Sequence, residues 1–195
     1  MNKSLILIVL IMIVASCKNV TGKKTSHAVN AIAEEVSSLS TIELQKEYLE
    51  QIGDLDQRVR IEEDETIIKY GYNSEVHKTA LDRIRAADKL NLEKTEKYLE
   101  IYGYPNLRDH GRIAVDIPWT ILQHSDDIEA MRRNFKYIYK AHSEDYQLRD
   151  IAFTTFLNHM YQMEFGNQIA WNRPFKVDEE IDTLMKALNL EEIKN

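Results

Sequence analysis

The chain has 195 residues, with 25 Lys and Arg against 32 Asp and Glu and a formal net charge of −7. That length suits one domain of ordinary size, and the acidic balance does not suit nucleic acid or a surface of anionic headgroups. A single cysteine excludes an intrachain disulfide, so the fold must rest on its hydrophobic core.

The first elements are not part of that core. Lys3 gives a basic start, and Leu5 to Ala15 is an unbroken apolar run. The run has the length of a signal-peptide core and falls short of the roughly 20 residues that span a bilayer. "VASC" follows, with small residues at Ala15 and Ser16 and then the lone Cys17. The segment resembles the bacterial lipobox, which implies a signal peptide over residues 1–16, lipidation of Cys17 and no free thiol afterwards. An ordinary secretory signal or a plain membrane anchor are the alternatives. The expectation is a bacterial cell-envelope lipoprotein held to a membrane by its acyl chains, since more than one chain anchors stably. Only Lys3 is lost with the signal, so the mature chain keeps 24 basic and 32 acidic residues, net −8.

Residues 17–40 begin with polar and small side chains ("KNVTGKKTSHAVNA" after the cysteine) and read as a flexible tether. From Ile42 the pattern is helical. Leu44, Tyr48, Ile52, Leu55 and Val59 recur at spacings of three and four, on one face, with Ser40 or Thr41 as cap. "EEDETIIKYGYN" breaks the pattern. The next helix begins near Asn73 or Ser74, buries Val76, Ala80, Ile84 and Ala87, and runs on or restarts at Asn91. Gly103 and Pro105 end it. Three more helices follow, near Leu107 to Ser125, Ile128 to Ala141 and Glu144 to Met160. The chain is irregular over 162–174 and closes with a short helix near Asp178 to Leu188. No segment alternates as a strand does, and three prolines and six glycines suit helices. The expected fold is all-α: a single compact domain of about six helices over residues 41–195.

Four motifs then stand in order: "DQRVR" (Asp56 to Arg60), "ADKLNLEKTEKYLEIYGYP" (Ala87 to Pro105), "WTILQHSD" (Trp119 to Asp126) and "QMEFGNQ" (Gln162 to Gln168). Together they resemble the bacterial family called domain of unknown function 6624, over roughly Asp56 to Gln168. The resemblance implies a shared fold and nominates positions; it carries no reaction. Two departures stand out. Asn158 and His159 occupy the place of an acidic–Arg pair, and Phe-Gly-Asn-Gln replaces Tyr-Gly-Thr-Gln.

The nominated cluster centres on His124. At about 100° per residue, Ile113, Ile117, Ile121 and His124 share one helix face. One reading is therefore a buried histidine with satisfied nitrogens. Gln123 falls on another line with Arg112, Asp116, Trp119 and Asp127. Pro118 kinks this helix or restarts it with Asp116 as cap. The other reading gathers Asp56, Gln57 and Arg60 from the first helix, and Gln162 and Gln168 from the late segment, around Gln123 and His124, with Trp119 beside them. A His124–Asp56 pair would act as general base and the amides with Arg60 would fix a polar ligand. Asp56 and Arg60, four apart, read equally as a local ion pair, and the two late glutamines as ties for an irregular loop. The six histidines show no metal spacing, and no phosphate loop or nucleophile elbow is present. No metal and no cofactor are expected.

Three functions follow. One is a helical binding module for a basic protein partner or a small polar ligand. Another is an envelope enzyme using His124 with Asp56 and Arg60. The third is a structural helical module with no ligand. An enzyme calls for a partly exposed His124 in a concavity beside a carboxylate; a binding module calls for a buried His124 and an exposed patch elsewhere.

Overall fold

The computed structural model describes residues 30–167, 169 and 177–194. The domain is all-α, and no strand occurs among the described residues. The chain divides into two units, residues 1–38 and 39–195. The described part of the first is helix α1 (residues 30–37), inside the stretch expected to be a tether, closed by a Ser38 hydroxyl that donates to the Glu35 carbonyl at 2.7 Å. Among the described residues no helix is long and apolar enough to cross a membrane. The segment bearing Cys17 lies outside them.

The second unit begins with a long antiparallel helical hairpin, α2 (Ile42–Tyr70) and α3 (Glu75–Tyr102). Thr41 and Ser74 cap the two helices by accepting from the backbone N–H groups of Leu44 and His77. Gly71 closes α2 at φ 79°, and Gly103 closes α3 at φ 75°, a region that disfavours a side chain. "EEDETIIKY" does not break α2: the helix runs through it, because a solvated stretch of α2 needs no apolar stripe to stay helical once α3 packs beside it. Likewise α3 does not restart at Asn91, which is fully buried in mid-helix. Val76 is 45 % exposed, and His77 takes its expected place on the buried stripe with Ala80 and Ala87.

Helices α4 (Leu107–His124), α5 (Ile128–Ser143), α6 (Asp150–Phe165) and α7 (Val177–Ala187) follow, then a 3₁₀ turn at Glu191–Lys194. The break expected at Pro118 sits instead at Gly111, whose φ of 78° and ψ of 167° leave the helical region. Pro118 stays within the helix, since its ring φ is helical and only the donor to Ala114 is lost. The Tyr104 hydroxyl donates to the adjoining carbonyl of Val115 at 2.8 Å. α6 begins six residues later than expected. The Gln147 and Leu148 amides both return to the Ala141 carbonyl, which folds 144–149 into a turn.

The apolar core lies among α4 to α7. Leu122, Met131, Phe135, Ile138, Phe153, Phe156, Leu157, Met160, Leu184 and Met185 are fully buried in one cluster. Burial of each such side chain contributes roughly 1.5–3 kcal/mol. α2 lies across α3 and α4, and this three-helix junction holds the polar group described next.

Candidate functional site

Asp56 occupies the buried face of α2 between Ile52 and Val59, and is 1 % exposed. A carboxylate there must be paired, because an isolated buried charge is expensive. Its partners come from two helices. The His124 Nδ1–H donates to both oxygens, at 3.0 and 3.1 Å. Arg60, one turn on, donates to Oδ1 from Nε at 3.2 Å and from Nη2 at 2.9 Å. The Gln57 amide donates to Oδ2 at 3.1 Å. Burial pushes the Asp56 carboxyl up, but the hydrogen bonds and charges of His124 and Arg60 outweigh it and hold the group below the usual carboxylate range.

Arg60 is shared. The same Nη2 donates to Asp88 Oδ1 on α3 at 2.6 Å. Burial raises the Asp88 carboxyl above its ordinary value against the pull of Arg60, and the neighbouring carboxylates of Asp56 and Asp126 add to the rise.

The His124 side chain is 30 % exposed, so it is not the fully buried histidine that the apolar face allowed. That face opens along its length: Ile113 is 68 % exposed and Ile121 is 2 % exposed. Nε2 of His124 makes no hydrogen bond with a described residue. His159 on α6 comes close enough to act electrostatically on His124. Burial lowers the proton affinity of His159, with the His124 charge pushing the same way and Asp126 and the backbone of Ser125 opposing. His159 Nε2 is buried with no partner among the described residues.

A cleft of about 120 Å³ opens between α2 and α4 and reaches Asp56 and Gln57. Its apolar wall is Ile113, Ile117 and Ile121, and Thr120 contributes a hydroxyl. A Cβ at Gly53 would meet Ile117 Cδ1, the end of a flexible side chain that would have to shift.

Of the nominated residues, the structure brings together Asp56, Gln57, Arg60 and His124. Gln123 is half-buried, and no hydrogen bond of the Asp56 group reaches it. Trp119 turns its ring against the main apolar core, with a buried Nε1 that finds no partner among the described residues. Gln162 is exposed in the last turn of α6, and no hydrogen bond of the Asp56 group reaches it. Gln168 lies outside the described residues. Sequence reasoning passed over Asp88 and named His159 only as a departure from the family pattern, not as a site residue. Asp88 follows Ala87 on the buried stripe of α3, and His159 stands between buried Leu157 and Met160 on α6; an ionisable group in either setting is a signal. Among the described residues no three His, Cys, Asp or Glu side chains are grouped to hold a metal ion.

Comparison with protein-family models, with characterised proteins and with solved structures finds no match to this chain.

The arrangement has a defined chemical capacity. A buried carboxylate orients the imidazole and fixes the proton on Nδ1, which leaves Nε2 as the lone-pair nitrogen of the neutral ring. Such a nitrogen accepts a proton from a bound polar group, and the carboxylate stabilises the imidazolium that forms.

Proposed function

We propose that the chain is a lipid-anchored envelope protein whose helical domain carries an acid–base site, with Asp56 and His124 as the proton-accepting pair for a polar substrate. The signal-like N-terminus and Cys17 support the anchor. The reaction reading is carried by one observation: His124 Nδ1 is held by both oxygens of a carboxylate that is 1 % exposed, while the ring itself is 30 % exposed. His124 and Arg60 together hold Asp56 below the usual carboxylate range, and Gln57 lines the cleft that reaches it.

The test takes the full chain in detergent, with chromogenic esters, amides, phosphate esters and glycosides as substrates. His124→Gln keeps the volume of the ring and removes its basicity. Turnover that falls by about 100-fold or more in the variant, with an unchanged melting temperature, supports the reading. No turnover on any substrate, together with a melting temperature several degrees lower in His124→Gln, makes the histidine a structural group and sinks it.

A second reading, a binding module for a basic protein, draws on a separate observation. Ile68, Tyr70, Tyr72 and Val76 cluster in sequence around the α2–α3 turn and are 86 %, 50 %, 70 % and 45 % exposed. Their exposure is unusual for apolar residues so close together, and the acidic chain suits a cationic partner. Serine at Ile68 and Tyr72 would abolish such binding and leave His124 untouched.

A further inference from the structure

Asp88 has no place in the reading above, yet it makes one of the shortest contacts at the site. Arg60 Nη2 lies 2.6 Å from Asp88 Oδ1 and 2.9 Å from Asp56 Oδ1. The three side chains are 20 %, 30 % and 1 % exposed for Asp88, Arg60 and Asp56 respectively, so solvent screens this chain of charges only in part. One guanidinium therefore serves two carboxylates on two helices. A cation beside Asp56 weakens the pull of that carboxylate on the His124 proton. A second carboxylate competing for the same Nη2 draws the cation away and restores the pull.

We infer that Asp88 is a positioning residue of this site, setting through Arg60 how strongly Asp56 holds the proton of His124. The inference rests on the reading of Asp56 and His124 as an acid–base pair. The titratable groups coupled to His124 are Asp56 from α2, Asp88 from α3 and His159 from α6, with Arg60 acting on both aspartates and Asp126, from the segment before α5, acting on Asp88 and His159. Asp88 is distinguished from Asp126 and His159 because it touches Arg60 directly. Asp126 is exposed, and His159 has no hydrogen bond to the Asp56 group.

The full chain, labelled with ¹⁵N at its six histidines, is titrated in detergent by nuclear magnetic resonance. The His124 resonance is assigned by its loss in His124→Gln. Asp88→Asn and Asp88→Ser are made together, so that one folded variant suffices. Either should lower the His124 midpoint by about 0.5 to 1 in pH, and Arg60→Gln should raise it by a similar amount, the usual scale for a charge within a few ångströms. Asp88→Glu, which keeps the charge, should restore the wild-type midpoint. In the Arg60→Gln background, Asp88→Asn should move the midpoint by less than half as much as it does alone. An unmoved midpoint in the neutral variants overturns the inference, and so does an equal shift in both backgrounds, which would mean direct action through space. The titration does not need turnover. If the midpoints move as stated while His124→Gln keeps its activity, the coupling stands and the acid–base reading falls. If turnover requires His124 while the midpoint ignores Asp88, the reading stands and the coupling falls.

Discussion

The α2–α3 hairpin and the α5–α7 assembly bury their side chains by different means. In α5 to α7 the largest buried side chains are apolar and polar residues such as Asn134, Thr154 and Glu180 sit at the margin: Phe135 and Phe153 lie 6.1 Å apart between ring centroids, and Leu157, Met160, Leu184 and Met185 belong to the same cluster at 0 % exposure. In the hairpin the buried positions of α2 and α3 include Asp56, His77, Asn91 and Thr95. Arg60 to Asp88 and Glu63 to His77 tie one helix to the other. Apolar packing fixes distance but tolerates sliding; directional pairs fix register. The hairpin spans about 40 Å at 1.5 Å per residue, and along that length a few specific pairs set which turn of α2 faces which turn of α3. Asp56 sits at the junction of the two regimes, on the hairpin but bound to the last residue of α4.

The largest expected effect belongs to the apolar side. Phe153 is fully buried and touches both Phe135 and His142. Phe153→Ala should cost about 3–5 kcal/mol, a fall of about 10 °C in melting temperature for a domain of this size. Ile68→Ala, on the exposed part of the hairpin, should stay within about 0.5 kcal/mol. Equal losses from the two substitutions would erase the contrast between the regions.

The next effect tests the junction. Asp56→Asn keeps the shape and removes the charge that Arg60 and His124 face, at a cost of about 1–3 kcal/mol near neutral pH. The sign with pH follows from the lowered proton affinity of this carboxyl in the folded chain. Its contribution is present above the unfolded carboxyl value of about 3.9 and is lost as pH falls through the folded value. Melting curves of wild type and variant should therefore lie apart at pH 7 and converge below about pH 4. A gap that stays constant down to pH 3 would show that packing, not charge, holds the junction.

The two regions were also unequally legible in the sequence. The stripe Met131, Phe135, Ile138 and the pair Leu184, Met185 follow helical spacing and are buried as that spacing implies. Gly103 before Pro105 marks its helix end because a positive φ is needed there. The continuation of α2 through "EEDETIIKY" was not legible, since a solvated helix carries no apolar period. Nor was the start of α6, where Tyr146 at φ 52° breaks a stretch that reads as periodic. At the site, Asp56 and Arg60 announce their pairing by a spacing of four. The meeting of Asp56 with His124 joins residues 68 apart, and only the tertiary packing of α2 on α4 creates it. Asp88 was passed over for the same reason: its place beside buried Ala87 is a signal, but only the packing of α2 on α3 brings Arg60 to it.

The smallest effect concerns the far end of the hairpin, away from the junction. His77 is 6 % exposed, and both its ring nitrogens face acceptors. Nδ1 donates to the Tyr72 carbonyl at 2.5 Å and Nε2 to Glu63 Oε1 at 2.6 Å. Two donors require the imidazolium. The Tyr72 carbonyl contributes most to a raised proton affinity and the Glu63 carboxylate adds to it, against burial. With the folded value above the ordinary 6.5, the stabilisation is complete below that pH and is lost as pH rises through the folded value. His77→Gln places a donor nitrogen at only one of the two ring-nitrogen positions, sets an acceptor oxygen at the other and has no charge to lose. The difference in melting temperature between wild type and His77→Gln should be greatest near pH 5.5, shrink as pH rises and level off once the imidazolium is gone. Parallel curves across that range would mean that the ring serves the hairpin as a neutral packing group, and that the register of α2 on α3 depends on the Arg60–Asp88 contact without help from the turn.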